Sequence, residues 1–278
     1  MNDDTLAEDD AGLSGRHDIS GAILSQLSHF AVGLVVTSPG EGSRVLGSGV
    51  LAYIEGRRGI LTCGHVAEKY ANLPEIGLVR FIAGSGNQRR MVQLGDTQTA
   101  IIQSSDSFED NKEVFDLAFT ILPPDEVSSI EALGGVFLNI EKNRTKMEAL
   151  APSEGKHIDA MLGLVAEFSE IPYAEGKEII SPMRGVLQTG HVCHQEKGLL
   201  TVEAMKYNLH ELPKCFGGMS GGGVWRVYFV ESETETKIVA TMLCGIASWQ
   251  IDGTQIACQG WDRIDQALIP NLRDKFRF

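Results

Sequence analysis

The chain of 278 residues carries a formal net charge of −13, with 43% apolar and 22% charged residues, an ordinary globular balance whose acidity argues against a nucleic-acid partner, which needs a basic face. No apolar run approaches the ~20 residues of a membrane helix, so no membrane partner is expected, and residues 1–18 hold six acids against one arginine without the basic-then-apolar pattern of a secretion signal. Five cysteines, an odd number at low density, suit free and mostly buried thiols rather than a disulfide framework, and the expected compartment is the cytoplasm.

In chain order, residues 1–18 are expected to be a disordered acidic tail. In 19–29, ISGAILSQLSH, apolar residues at Ile19, Ile23, Leu24 and Leu27 keep helical spacing and predict a short N-terminal helix. From Phe30 the texture becomes short and β-branched. FAVGLVVTS reads as a strand, and SRVLGSGVLAYIEGRRGILTC as strand, Gly turn, strand, Gly-Arg-Arg-Gly turn, strand. LVRFIAG, RRMVQL, TAIIQSS and FDLAFTIL continue at strand length until Pro123-Pro124. Residues 131–150 turn polar and partly helical and are expected as a linker between a first half, 19–130, and a second, 151–278. Strands resume with HIDAMLGLVAEFS, GVLQTGHVCH, GLLTVEAMKYN, GGVWRVYFV and KIVATMLCGIASWQ. WDRIDQALIPNL then returns to helical spacing, to be broken at Pro270, and this terminal helix is expected to pack on the second half. The many short strands point to an all-β barrel or sandwich architecture, and the helices are too few and peripheral for βαβ units.

CFGGMSGGGVW, residues 215–225, sets one serine, Ser220, among five glycines. Gly218-Met219-Ser220-Gly221-Gly222 fits both G-x-S-x-G, the nucleophile elbow of α/β-hydrolases, and G-x-S-G-G; in either, backbone N–H groups around the serine can bind an oxyanion. Serine needs a neighbouring base, usually histidine held by a carboxylate. All seven histidines precede Ser220, which removes the α/β-hydrolase order, where histidine follows serine. The aspartates before His65 all lie in the tail, so an Asp–His–Ser order needs a later histidine as base. His65, in GILTCGHVAE, and Asp116, heading FDLAFTIL, stand 51 residues apart, with Ser220 104 residues further on: His, then Asp, then Ser.

With these residues the chain resembles the chymotrypsin-like (trypsin-fold) serine proteases over about residues 30–270. The matching segments, in order, are GSGVLAYIEGRRGILTCGHV, FDLAFTIL, GGMSGGGVW and LCGIASWQ. The resemblance implies two packed six-stranded antiparallel β-barrels with a site in the cleft between them. It implies His65 as general base, Asp116 as its orienting carboxylate, Ser220 as nucleophile, and the N–H groups of Gly218 and Ser220 as the oxyanion hole. It also implies Ser248 as a carbonyl acceptor for the substrate chain and Trp249 as a wall of the specificity pocket. Lys214, six residues before Ser220, falls where the family sets charge preference and would favour an acidic residue before the scissile bond; Gln250 would narrow the pocket. Met219 replaces the aspartate by which secreted relatives are activated, and Cys63 precedes His65 where the familiar half-cystine follows it. These departures are similar to the intracellular, HtrA-like branch, here without room for a PDZ domain.

The expected function is therefore a serine endopeptidase acting on protein or peptide substrates, restrained by a regulatory protein partner, an allosteric loop or narrow specificity. The alternative is a catalytically silent module of the same fold that binds peptides or partner proteins. No cofactor or metal is expected. His191-Val192-Cys193-His194 offers ligand types, but on a strand His191 and Cys193 share one face and His194 takes the other, and no second cluster supports zinc. Cys215 is read as a buried structural thiol.

Overall fold

The structure is a computed structural model and describes residues 14–38, 42–81, 88–95, 97–103, 114–149, 156–169, 173–175, 178–180, 183–205, 213–231 and 236–276. The expected tail falls outside these residues up to position 13. Positions 14–18 belong instead to helix α1 (Ser14–Leu27), because SGRHD carries no apolar spacing to announce a helix; the stripe that does, Ile23 and Leu27, is fully buried.

The chain is β-rich and its strands form two main sheets. The first joins β1 (Ala31–Ser38), β2 (Gly42–Ile54), β3 (Arg57–Thr62), β4 (Glu75–Arg80), β5 (Gln88–Gln93), β6 (Gln98–Gln103) and β7 (Asp116–Ile121) in the order β5-β4-β1-β2-β3-β7-β6. A two-residue strand, β8 (Leu138–Asn139), adds in parallel to β2. This corrects the expected six-stranded barrel: the sheet has eight strands, and among the described residues its edge strands β5 and β6 each pair on one side only. The local turns also differ from expectation. GSG at 47–49 is no turn, since β2 runs through it with a bulge opposite Leu34/Val35. Of Gly-Arg-Arg-Gly only Gly56 turns. Glu55 and Gly56 have φ of 47° and 76°, the two positive values that a two-residue hairpin loop needs to match strand twist.

The second sheet closes into a six-stranded antiparallel ring, β12-β13-β16-β15-β14-β9. Its strands are β9 (Lys156–Leu164), β12 (Gly185–Glu196), β13 (Leu199–Ala204), β14 (Gly223–Glu231), β15 (Thr236–Gln250) and β16 (Gln255–Gly260). A separate hairpin pairs β10 (Tyr173–Glu175) with β11 (Glu178–Ile180). The two sheets share one large core. Leu164 of β9 lies where a Cβ on Gly33 of β1 would stand, 2.3 Å from its Cδ1, and Phe30 meets Trp225 with ring centroids 5.4 Å apart. A smaller core, including Met161, Val202, Val224 and Cys258, fills the ring.

The segment expected as a linker is structured. It carries the end of α3 (Pro124–Ala132), β8 and α4 (Ile140–Ala149). Buried Asn143 of α4 both accepts from and donates to the backbone of Leu243, at 2.9 and 3.0 Å, and so ties α4 to β15. The C-terminal helix also differs from expectation. It runs as α5 (Trp261–Arg263), a π-helical turn at Ile264–Leu268, and α6 (Ile269–Lys275), with Pro270 in the first turn of α6 rather than at the end. A proline is tolerated there because the π turn ahead of it shifts the ladder, with Ile269 N–H bonding Ile264 O. Instead of lying on the second half alone, this segment reaches back to the first: Lys275 donates to the carbonyl of Thr99 at 2.8 Å and Arg273 pairs with Glu55 at 2.6 Å.

Candidate functional site

His65 sits in α2 (Gly64–Glu68), the single turn that follows β3, and Asp116 heads β7, the strand paired with β3. This pairing brings together residues 51 apart in sequence. Asp116 Oδ1 accepts the backbone N–H of His65 at 2.9 Å, and Oδ2 lies 2.7 Å from His65 Nδ1. A carboxylate only accepts when ionised, so this contact places the ring proton on Nδ1 and leaves a lone pair on Nε2. The carboxylate is 7% exposed and the imidazole 33%, so the acid is shielded while the ring has an open edge. The intervening Gly64 suits the approach, since a Cβ there would stand 3.1 Å from Asp116 Oδ1.

Ser220 comes from the other half, on the turn before β14. Gly218 and Gly221 flank it with φ of 95° and 89°, a region L-residues with a Cβ avoid. At Gly221 space forbids a side chain as well, because a Cβ would stand 2.0 Å from the carbonyl oxygen of Ser48 and 2.1 Å from Thr62 Oγ1. The turn is held by its own bonds, Met219 N–H to Phe216 O and Gly222 N–H to Met219 O, and by Gly221 N–H to Ala247 O of β15. The N–H groups of Gly218 and Ser220 donate to no acceptor among the described residues. Ser220 Oγ donates to the carbonyl of Ser248 at 2.6 Å and makes no hydrogen bond to His65 among the described residues.

Ser48 had no role in the sequence reading, yet it ties the two halves together at this turn. Fully buried on β2, it donates its N–H to Ser220 O at 2.7 Å and its hydroxyl to Gly218 O at 2.7 Å. It accepts the N–H of Leu164 on Oγ at 2.8 Å and the hydroxyl of Thr62 on its carbonyl at 2.7 Å. Its one sequence signal is a small polar residue between glycines inside an apolar strand. Cys63 was also missed as part of the site. Its Sγ donates to Ala247 O at 3.1 Å and to Ser248 Oγ at 3.5 Å. Burial, and then the charge of Asp116, push its pKa well above the usual thiol value, so it remains a protonated donor. The donor atoms of Cys63, His65 and Asp116 lie within 4.8 Å of one another. As a cation site this set is poorly matched: the thiol resists ionisation, and both carboxylate oxygens already face His65.

The expected specificity residues divide. Ser248 occupies the bulge between Ala247 and Trp249, is buried, and has its carbonyl beside Ser220. Trp249 is half-buried on the same strand. The Gln250 side chain bonds the backbone, accepting from Phe216 N–H at 2.9 Å and donating to Asp252 O at 2.6 Å. Lys214 is exposed, with its carbonyl 3.4 Å from Gln250 Nε2. Cys215 is exposed too, against expectation, and accepts Gly217 N–H on Sγ at 3.3 Å. At the His191-Val192-Cys193-His194 run a bulge between Val192 and His194 breaks the expected alternation, so both histidines and Cys193 are exposed. A depression of about 410 Å³ opens beside the Gly218 turn. Val36, Val45, Leu46 and Leu73 line it together with Arg44 and Lys69, and Val45 Cγ1 lies 2.9 Å from where a Gly218 Cβ would stand. No helix among the described residues is long and apolar enough to cross a membrane.

No protein-family model matches the chain, and no curated protein matches it. Solved structures that align with it include one described by the finding that aromatic interactions drive the coupled folding and binding of the intrinsically disordered Sesbania mosaic virus VPg protein. That alignment covers 86% of this chain and 90% of the other, at 14% identity and a TM-score of 0.44. A similarity that distant leaves the site to be read from its own geometry.

Proposed function

We propose that the protein is a serine endopeptidase that cleaves peptide bonds through an acyl-enzyme. The observation that carries this reading is the doubly bonded His65–Asp116 pair together with a serine turn in which the N–H groups of Gly218 and Ser220 donate to no acceptor among the described residues. The two sides are linked through Cys63, two residues before His65. Its thiol bonds Ser248 Oγ, and the Ser248 carbonyl holds the Ser220 hydroxyl.

In this reading a substrate main-chain N–H takes the Ser248 carbonyl and releases the Ser220 hydroxyl, which turns toward His65. Nε2 accepts its proton as Oγ bonds the scissile carbonyl carbon, and the carbonyl π pair moves onto oxygen. The N–H groups of Gly218 and Ser220 bind that oxyanion, a contribution worth about 10²–10³ in rate per donor in comparable sites. The imidazolium then protonates the leaving amine as the C–N bond breaks. Water, deprotonated by the same nitrogen, hydrolyses the ester and returns the proton to Oγ. Asp116 keeps its proton off throughout, orienting the ring and stabilising its cation.

A second reading has one observation in its favour. The Ser220 hydroxyl is bonded to Ser248 rather than to His65, which is the arrangement a silent peptide-binding module would keep. A fluorophosphonate probe separates the two. Labelling of the native protein that disappears in Ser220→Ala, with the melting temperature held within ~2 °C because the hydroxyl makes a single bond, is the endopeptidase outcome. A folded native protein that takes no label, with or without peptide, rules that reading out in favour of the module.

A further inference from the structure

We infer that Arg263 is a positioning residue that aligns Asp116 from the opposite half of the molecule; the inference rests on the endopeptidase reading. Arg263 ends α5, the first turn of the C-terminal helical segment that follows the ring strand β16, and is 4% exposed. Its guanidinium reaches across to the first half. Nη1 donates to the carbonyl of Val114, two residues before Asp116, and to Gln259 Oε1 at 3.0 Å. Nε donates to the carbonyl of Lys197, in the β12–β13 turn, at 3.1 Å. Gln259, itself fully buried, sends Nε2 to the same Val114 carbonyl at 3.3 Å. Phe115, the residue between, lies under the guanidinium with its ring centroid 4.8 Å away.

This gathers two donor contacts, both on the Val114 carbonyl, and a cation–π contact with Phe115 on the two residues that lead into the carboxylate, all from the half that carries Ser220. A surface hydrogen bond would not fix geometry this way; a buried guanidinium with its fork occupied does, because each donor it loses is stranded away from water. Asp116 must present one oxygen to the backbone of His65 and the other to its ring, so a small swing of the strand head breaks both. Arg263 and Gln259 thus set the register of the first half's carboxylate against the second half's serine, a task that neither sheet performs on its own.

The test is a double-mutant cycle in the full chain with the fluorophosphonate labelling rate as readout. Arg263→Met is expected to slow labelling about 100-fold, the scale of a ~1 Å misplacement, and to leave less than about a 3-fold further effect in an Asp116→Asn background, where there is no aligned carboxylate left to lose. Equal loss in both backgrounds would mean Arg263 acts merely on the fold and overturns the assignment. A readout independent of turnover keeps this separate from the endopeptidase reading: the NMR resonance of the His65 Nδ1 proton. It is expected sharp and shifted by its hydrogen bond in the native protein, and lost or exchange-broadened in folded Arg263→Met. If native protein takes no label, the enzyme reading fails while this proton still decides the clamp; its persistence in the variant overturns the assignment. Should Arg263→Met not fold at the assay temperature, Arg263→Lys, which keeps the charge and one donor, is judged by the same two criteria.

Discussion

The two halves hold their reactive groups by different means. In the open first sheet the pair is fixed by side chain: Asp116 grips both the backbone and the ring of His65, on strands that are hydrogen-bonded neighbours. In the closed second ring the serine is fixed by backbone: glycines at φ of 95° and 89° shape the turn, and bonds to Phe216, Met219 and Ala247 hold it, while the hydroxyl has one partner among the described residues, the Ser248 carbonyl. In the proposed endopeptidase the base needs one orientation, which a carboxylate supplies, and the nucleophile has to leave one partner for another, which a fixed main chain with one bonded hydroxyl permits. What joins the two regimes is a few buried polar side chains at the seam: Ser48, Cys63, Gln259 and Arg263.

If this contrast is right, perturbing the serine itself has the largest effect, with Ser220→Ala losing all probe labelling. Next comes the side-chain regime. Asp116→Asn is expected to cut the labelling rate and peptide turnover about 10⁴-fold by favouring the wrong ring tautomer, while far-UV circular dichroism stays native. A loss under 10-fold would show that His65 is held by other groups. Third, Ser48→Ala tests the seam. It strands the Gly218 carbonyl and the Leu164 N–H in a fully buried place, and about 1–3 kcal/mol of stability should go with it. Because the Gly218 peptide then loses its anchor, labelling should fall about 10²-fold; unchanged labelling in a destabilised protein would separate the turn's geometry from this serine.

The smallest effect concerns buried acids in both halves. Burial pushes Cys63 well above the usual thiol pKa, raises Cys244 to about 12 and raises Cys258 as well, and Tyr70 reaches about 12. Each is raised in the fold, so the stability it contributes is fully present below the ordinary thiol value near 9 and is lost as pH climbs toward 12. The melting temperature should stay flat from pH 7 to 9 and fall beyond it. Native protein treated with iodoacetamide at pH 8 should be alkylated at the exposed Cys193 and Cys215 and spared at the other three, as read by peptide mass spectrometry. Alkylation of Cys63 in native protein would mean that the seam opens to solvent.

Much of this was legible in the chain. Strands with alternating or continuous apolar texture announced themselves, and Ile23 and Leu27 marked α1 although its polar first turn did not. The pairing of His65 with Asp116 was anticipated through the resemblance carried by GILTCGHVAE and FDLAFTIL, since chain order excluded the α/β-hydrolase arrangement but left an Asp–His–Ser order with a later histidine open. The errors have physical causes. Two residues are too few to show a strand's period, so β8 was invisible. The polar surface of α4 read as a linker because its anchor to β15 is a single asparagine. The commitment of the Gln250 amide to the backbone at 216 and 252 left no trace in its neighbours. A bulge, which adds one residue and reverses a strand's facing, leaves His191, Cys193 and His194 all exposed.

The order of the amino acids by itself determined which groups could react, where the main chain could turn without a Cβ, and that the chain would be β-rich. Tertiary structure alone decided which partner holds the serine hydroxyl, that the first sheet stays open among the described residues while the second closes, and that an arginine 149 residues away reaches the carbonyl of Val114. Local conformation follows from neighbours a few residues apart, which a sequence displays. A buried hydrogen bond is chosen by whichever donor the fold carries to an acceptor that water has left, and that choice leaves no mark in the residues flanking either end.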